Sequence, residues 1–89
     1  MSIVISFIFT QQTEKSYKLG YFEIHYINSD DSVYIIEVEE TKNVWLPKSQ
    51  LKYILPIQWF TADSGRADAE IPEWLALKLI EKYNMTKIR

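Results

Sequence analysis

The sequence has 89 residues, a length that predicts a single domain spanning residues 1–89. A hydrophobic fraction of 47%, with 3 Trp, 6 Tyr and 4 Phe, excludes a disordered chain, and the absence of cysteine excludes disulfides, thiolate metal sites and cysteine nucleophiles. The net charge is only −2, with three lysines against seven acidic residues in 1–45 and seven basic against five acidic residues in 46–89, which argues against a general nucleic-acid binder.

The first third of the chain predicts two strands. Residues 2–10 are almost continuously apolar and predict a strand that is buried on both faces or central in a barrel. No basic residues precede this run, so we interpret it as a strand and not a signal peptide. Polar residues 11–15 predict a turn, and residues 16–27 predict a second strand with a bulge or bend at Gly20.

The middle of the chain predicts a hairpin and a short strand that ends in a turn. The Asn, Asp and Ser residues of 28–32 favour a tight turn that closes a hairpin with a strand over 33–38. A further turn is expected over 41–43, and the next strand, 44–46, is expected to stop at Pro47 because proline cannot donate to a ladder. Residues 48–50 predict a single helical or 3₁₀ turn that returns Leu51 to the core.

The last third predicts an edge strand and the only helix. Residues 53–60 predict a strand that Pro56 confines to an edge or a bulged position. A loop is expected over 61–66 and a last short strand over 67–71. Apolar residues at three- and four-residue spacing after Pro72 predict a helix over 73–84. We expect residues 85–89 to form a frayed basic tail.

These elements predict an α+β protein that is mainly β. Four to six short strands followed by one packing helix indicate a small bent antiparallel sheet, or a partial barrel of OB-like or SH3-like type, with the helix covering an open side. No stretch approaches the length of a membrane span, so we expect no membrane partner and a location in the cytoplasm.

Two motifs carry a resemblance to other proteins. Trp45–Gln50 (WLPKSQ) followed by Ile71–Ala76 (IPEWLA) resembles small, mostly uncharacterised proteins and domains of phages and other mobile elements. Thr13–Lys15 is similar to a third segment found upstream in such sequences, and the match covers about a fifth of the chain. The resemblance implies a genomic setting more than an activity. Residues 20–41 do not fit this resemblance, because they are expected to form an extra hairpin between the first and second of its segments.

The sequence offers no set of catalytic or metal-ligating residues. His25 is the only histidine, and without cysteine or a second histidine it cannot form a usual zinc site. No serine has a nucleophile motif, and no glycine-rich phosphate loop is present. We therefore predict no enzymatic activity, no metal and no cofactor.

The best candidate binding surface lies after Pro47. Basic groups beside aromatic rings could hold phosphates and stack bases, as in single-strand binders. The basic and polar candidates are Lys48, Ser49, Gln50, Lys52 and Arg66, near Trp45, Tyr53 and Trp59. Against this hypothesis, large aromatics mainly fill the core of so small a domain, so we expect Trp45, Leu46 and Trp59 to be buried.

A second candidate surface is acidic. Glu37, Glu39 and Glu40 are expected to leave the core and form an acidic edge. That edge could contact a basic protein surface, but protection of the edge against unwanted strand pairing is the interpretation we favour.

Three functions follow as hypotheses. The first is a non-enzymatic binding protein of phage or mobile-element origin that contacts a host protein or protein–nucleic-acid complex and inhibits host defence or nucleic-acid processing. The second is a module that binds nucleic acid directly through the Lys48–Lys52 surface. The third is a purely structural subunit or self-associating domain.

Overall fold

The computed structural model describes residues 1–89 and contains seven strands, one 3₁₀ turn and one α-helix. The strand and helix bounds are β1 Ser2–Gln12, β2 Ser16–Ile27, β3 Val33–Glu37, β4 Trp45–Pro47, the 3₁₀ turn Lys48–Gln50, β5 Lys52–Trp59, β6 Gly65–Glu70, α1 Glu73–Lys82 and β7 Thr86–Lys87. The predicted α+β, mainly β class is confirmed. β4 includes Pro47 and so ends one residue later than predicted.

All strands belong to one antiparallel sheet, with the order β5-β6-β1-β2-β3-β7. β1 is an interior strand, because it pairs with both β2 and β6, but it belongs to an open sheet and not to a barrel. β4 pairs with residues 16–18 of β2, and β3 pairs with residues 21–25 on the same side of that strand. The β1–β2 register skips Gly20 in β2 and Thr10 in β1, so the predicted bulge at Gly20 is confirmed. Bulges of this kind increase the local twist, here between the two halves of β2. The chain runs from β4 through the 3₁₀ turn into β5. Since β4 and β5 lie at different edges of the open sheet, this turn connects the two edges.

One face of the sheet forms the core. Along β1 and β2, buried and half-buried residues alternate, so only one face of β1 is fully buried and the other face is partly covered. Rings from both strands lie in contact: the centroids of Phe7 and Tyr17 are 5.0 Å apart, and those of Phe9 and Tyr17 are 4.7 Å apart. Leu46 and Leu51 are buried on either side of the 3₁₀ turn, as predicted.

The helix covers this core from one side. Leu75, Ala76 and Leu79 are buried, and Ile80 and Tyr83 pack partly against the same cluster. This is the apolar stripe that the sequence predicted. α1 is two residues shorter than predicted.

The C-terminal residues do not fray, so that prediction was wrong. Met85 is buried, and Thr86 and Lys87 pair with β3. The N–H of Val33 donates to the carbonyl of Arg89, and the N–H of Ile88 donates to the carbonyl of Val33. These bonds cover the outer side of β3. The sequence could not indicate this pairing, because the two residues of β7, Thr86 and Lys87, are both polar and form no strand pattern.

Candidate functional site

The three segments singled out in the sequence, Thr13–Lys15, Trp45–Gln50 and Ile71–Ala76, lie at one end of the sheet. Pro47 in β4 lies opposite Ser16 in β2, and the N–H of Lys48 donates to the carbonyl of Lys15 at 2.8 Å. The chain then enters β5, where Lys52 lies opposite Glu70 in β6. Since β6 leads through Pro72 into α1, the start of the helix lies beside the 3₁₀ turn.

A surface depression of about 380 Å³ separates the 3₁₀ turn from the start of α1. We call it the motif groove, and its walls are Ser49, Gln50, Lys52, Glu70, Ile71, Pro72 and Trp74. Trp74 remains 55% exposed, although tryptophan is a large apolar side chain that gains from burial. The groove therefore combines one exposed aromatic ring with charged and neutral polar groups.

Lys48 is held in place beside the groove. Its Nζ donates to Oε1 of Gln12 at 3.0 Å and lies 4.5 Å from the ring centroid of Tyr17. Lys48 and Gln50 are half-buried, whereas Ser49 and Lys52 are exposed. Among the candidates predicted from sequence after Pro47, which are Lys48, Ser49, Gln50 and Lys52, the most accessible side chains are therefore those of Ser49 and Lys52.

Arg66 does not join this group. Arg66 is exposed on β6 opposite Gln58, four residues before Glu70, which corresponds to roughly 13 Å along the strand. Lys48, Lys52 and Arg66 therefore do not form one cluster, because Arg66 lies further along β6 than the end that carries the two lysines.

The acidic candidates lie in a third region. Glu37, Glu39 and Glu40 line a separate depression of about 470 Å³, together with Lys18 and Lys42. β7 pairs with residues 34 and 35 of β3, so Glu37 lies beyond the covered part of that strand. The two lysines at the same depression reduce its net negative charge.

A hydrogen-bonded cluster on the outer face of β2 was not predicted as a unit. The hydroxyl of Tyr21 donates to Oε2 of Glu23 at 2.9 Å, and Oε1 of Glu23 lies 3.0 Å from Nε2 of His25. The period-two alternation placed Glu23 and His25 on one face, which was the available signal. No three His, Asp or Glu side chains are arranged to hold a metal ion.

Tyr21 should be the tyrosine that ionises last. Burial, the hydrogen bond to Glu23 and the negative charge of Glu23 raise the pKa of Tyr21 to about 12. Because the folded state favours the neutral phenol, this stabilisation is complete below pH 10 and disappears as the pH rises towards 12. Ultraviolet absorbance titration should show a late tyrosinate step that Tyr21→Phe removes and Tyr53→Phe, at an exposed site, leaves in place. A Tyr21→Phe titration identical to that of the wild type would contradict this assignment.

Trp45 and Trp59 are exposed by 43% and 53%, so the expectation that they are buried was wrong. The ring of Trp59 still reaches the core, since its centroid lies 5.7 Å from that of Phe9 in a T-shaped arrangement. It lies on β5, which pairs only with β6 and is an edge strand, as Pro56 predicted. A residue on an edge strand has neighbours on one side only, which explains the exposure.

No known protein family, curated protein or solved structure shows significant similarity to this chain. No helix is long and apolar enough to cross a lipid bilayer.

Proposed function

We propose that this chain is a non-enzymatic binding protein of phage or mobile-element origin. It acts in the cytoplasm of a host cell by covering a surface of a host protein or protein–nucleic-acid complex, and so inhibits host defence or nucleic-acid processing.

The observation that carries this proposal is the motif groove. An exposed tryptophan surrounded by polar groups is the usual composition of a binding hot spot, because the ring supplies buried area and the polar rim excludes water. Trp74 lies in this setting between Pro72 and Lys52. The core does not need Trp74, since Leu75, Ala76 and Leu79 already attach α1 to the sheet.

Trp74→Ala should weaken partner binding at least tenfold, because truncation of a tryptophan hot spot costs about 2 kcal/mol or more. The measurement is quantitative affinity capture from host lysate with the tagged protein. Leu77→Ala is the matched control, since Leu77 is half exposed on the next turn of α1 but lies outside the groove.

Two results would contradict the proposal. One is the absence of any specific, stoichiometric partner with the wild-type protein. The other is an equal loss of binding in both variants, which would show that the groove has no special part in the contact.

Direct nucleic-acid binding is the second candidate, favoured by the convergence of Lys15, Lys48 and Lys52 on the end that carries Trp74. Glu14 and Glu70 lie among these lysines and oppose a phosphate backbone. Retardation of single- or double-stranded nucleic acid at low salt that declines as salt rises would support this function. Absence of retardation at low salt would eliminate it.

A further inference from the structure

β5 is the long free edge of the sheet. It has eight residues, whereas β7 at the opposite edge has two and β4 has three. The segment Tyr53–Phe60, which covers most of β5 and the next residue, contains no charged residue and is rich in aromatic and β-branched side chains. An uncharged edge strand of this composition is a template for pairing with another chain, because its outer N–H and C=O groups have no partner.

The exposed apolar side chains of β5 do not form one surface. Leu55 lies opposite Asp68, on the face of the sheet away from the core. Trp59 lies opposite Gly65, and its ring meets that of Phe9 on the core face. Association of two copies along β5 would therefore depend on the backbone of its outer edge and not on a single apolar patch.

The backbone of β5 faces β6 and the outer edge in alternation. The N–H of Ile71 donates to the carbonyl of Ile3, so in the alternating ladder Ala67 also faces β1. Pro56 lies opposite Ala67, so its backbone faces the outer edge, where proline has no N–H to donate. One residue earlier, at Leu55, a proline would instead remove a bond to β6. The proline therefore occupies a position where it weakens only the outer edge.

Two bulges flank Pro56. One extra residue of β5 lies between Lys52 and Leu55, and another lies just after Pro56. The first bulge includes Tyr53, whose φ of 54° is the left-handed geometry of the first residue of a G1 bulge. The groups that face the outer edge are therefore not evenly spaced at every second residue, as pairing with a regular strand requires.

We propose that Pro56 and its two flanking bulges close the outer edge of β5 to strand addition and so keep copies of this chain from pairing. Charged side chains, the usual protection of an edge strand, are missing from residues 53–60, so the protection comes from the backbone. The chain then meets a partner protein through side chains, such as those of the motif groove, and not through an added strand. That last step rests on the proposed binding function, whereas the closed edge does not.

Pro56→Thr tests the inference, because it restores an N–H at the outer edge. Sedimentation over a concentration series should give 10.6 kDa for the wild-type protein and a mass that rises with concentration for the variant. Pro56→Ala restores the same N–H with a smaller side chain and should also associate. Gln58→Thr is the matched control: Gln58 lies opposite Arg66 and bonds towards β6, so the variant should stay at 10.6 kDa. All three should keep the circular dichroism of the wild type, since Pro56 and Gln58 are exposed.

Amide hydrogen exchange gives a second readout of the same contact. In Pro56→Thr, the new N–H should exchange rapidly at low protein concentration and more slowly as the mass rises. An exchange rate that does not depend on concentration would overturn the inference.

Three sedimentation results would also overturn it. They are Pro56 variants that stay monomeric at every concentration, equal association of Pro56→Thr and Gln58→Thr, and a wild-type mass that rises as steeply as that of Pro56→Thr. None of these results bears on the motif groove, since Trp74→Ala tests that site separately.

Discussion

Gly65→Ala should destabilise the protein by about 2–3 kcal/mol, because the added methyl group has no space. Gly65 begins β6, is buried and lies opposite Trp59 in β5. A Cβ at this position would collide with the carbonyl oxygen of Gln58 and lie 3.1 Å from Cζ of Phe9. A main-chain oxygen cannot rotate away as a side chain can. The β5–β6 ladder would therefore have to shift, and urea denaturation measures the loss.

Gly20→Ala is the matched control for this prediction. A Cβ at Gly20 would lie 3.0 Å from Cγ2 of Thr10, the end of an exposed side chain that can change rotamer. We expect a change within about 1 kcal/mol. Similar losses at both glycines would show that the close approach of Gln58 does not determine the cost at Gly65.

Local sequence patterns located every strand except β7, with bounds within two residues of those in the structure. The predicted limits of β2, residues 16–27, are those of the structure, because period-two alternation and the polar segments on either side define both ends. The turn at 28–32 followed from its Asn, Asp and Ser residues. The 3₁₀ turn after Pro47 was also predicted correctly, since proline ends the ladder of β4.

The predictions that failed depend on contacts between distant parts of the chain. Burial of Trp59 depends on whether β5 has a neighbour on both sides, and strand order is not encoded in a local pattern. The pairing of residues 86 and 87 with β3 joins segments about fifty residues apart. Neither feature could be predicted without knowing the topology of the whole sheet.

The candidate site was predictable only in part for the same reason. Lys48, Ser49, Gln50 and Lys52 are consecutive or nearly so, and the sequence identified them together. Trp74 belongs to the second sequence motif, but its place in one groove with Ser49 and Lys52 depends on the pairing of β5 with β6. Arg66 was grouped with the lysines because it is also basic, and charge alone gives no information on the distance between residues.

Phe22→Ala should cost about 3–5 kcal/mol, the usual loss for a fully buried phenylalanine that leaves a cavity. Phe22 has no exposed surface and lies in β2 between Phe7 of β1 and Ile36 of β3. Its ring also meets Tyr83 edge-on, with centroids 6.1 Å apart, just after the end of α1. Against a typical stability of about 5–15 kcal/mol, the variant is expected to be marginally folded.

The position of Phe22 also predicts how the variant unfolds. Because Phe22 lies between two neighbouring strands and its ring meets the segment after α1, its loss should weaken sheet and helix together. Urea transitions monitored by helical circular dichroism and by tryptophan fluorescence should therefore move to lower denaturant by the same amount and still coincide. Phe22→Leu, which keeps most of the side-chain volume, should shift both transitions much less. If only the helical transition moved, α1 would be stabilised separately from the sheet, contrary to a core that both share.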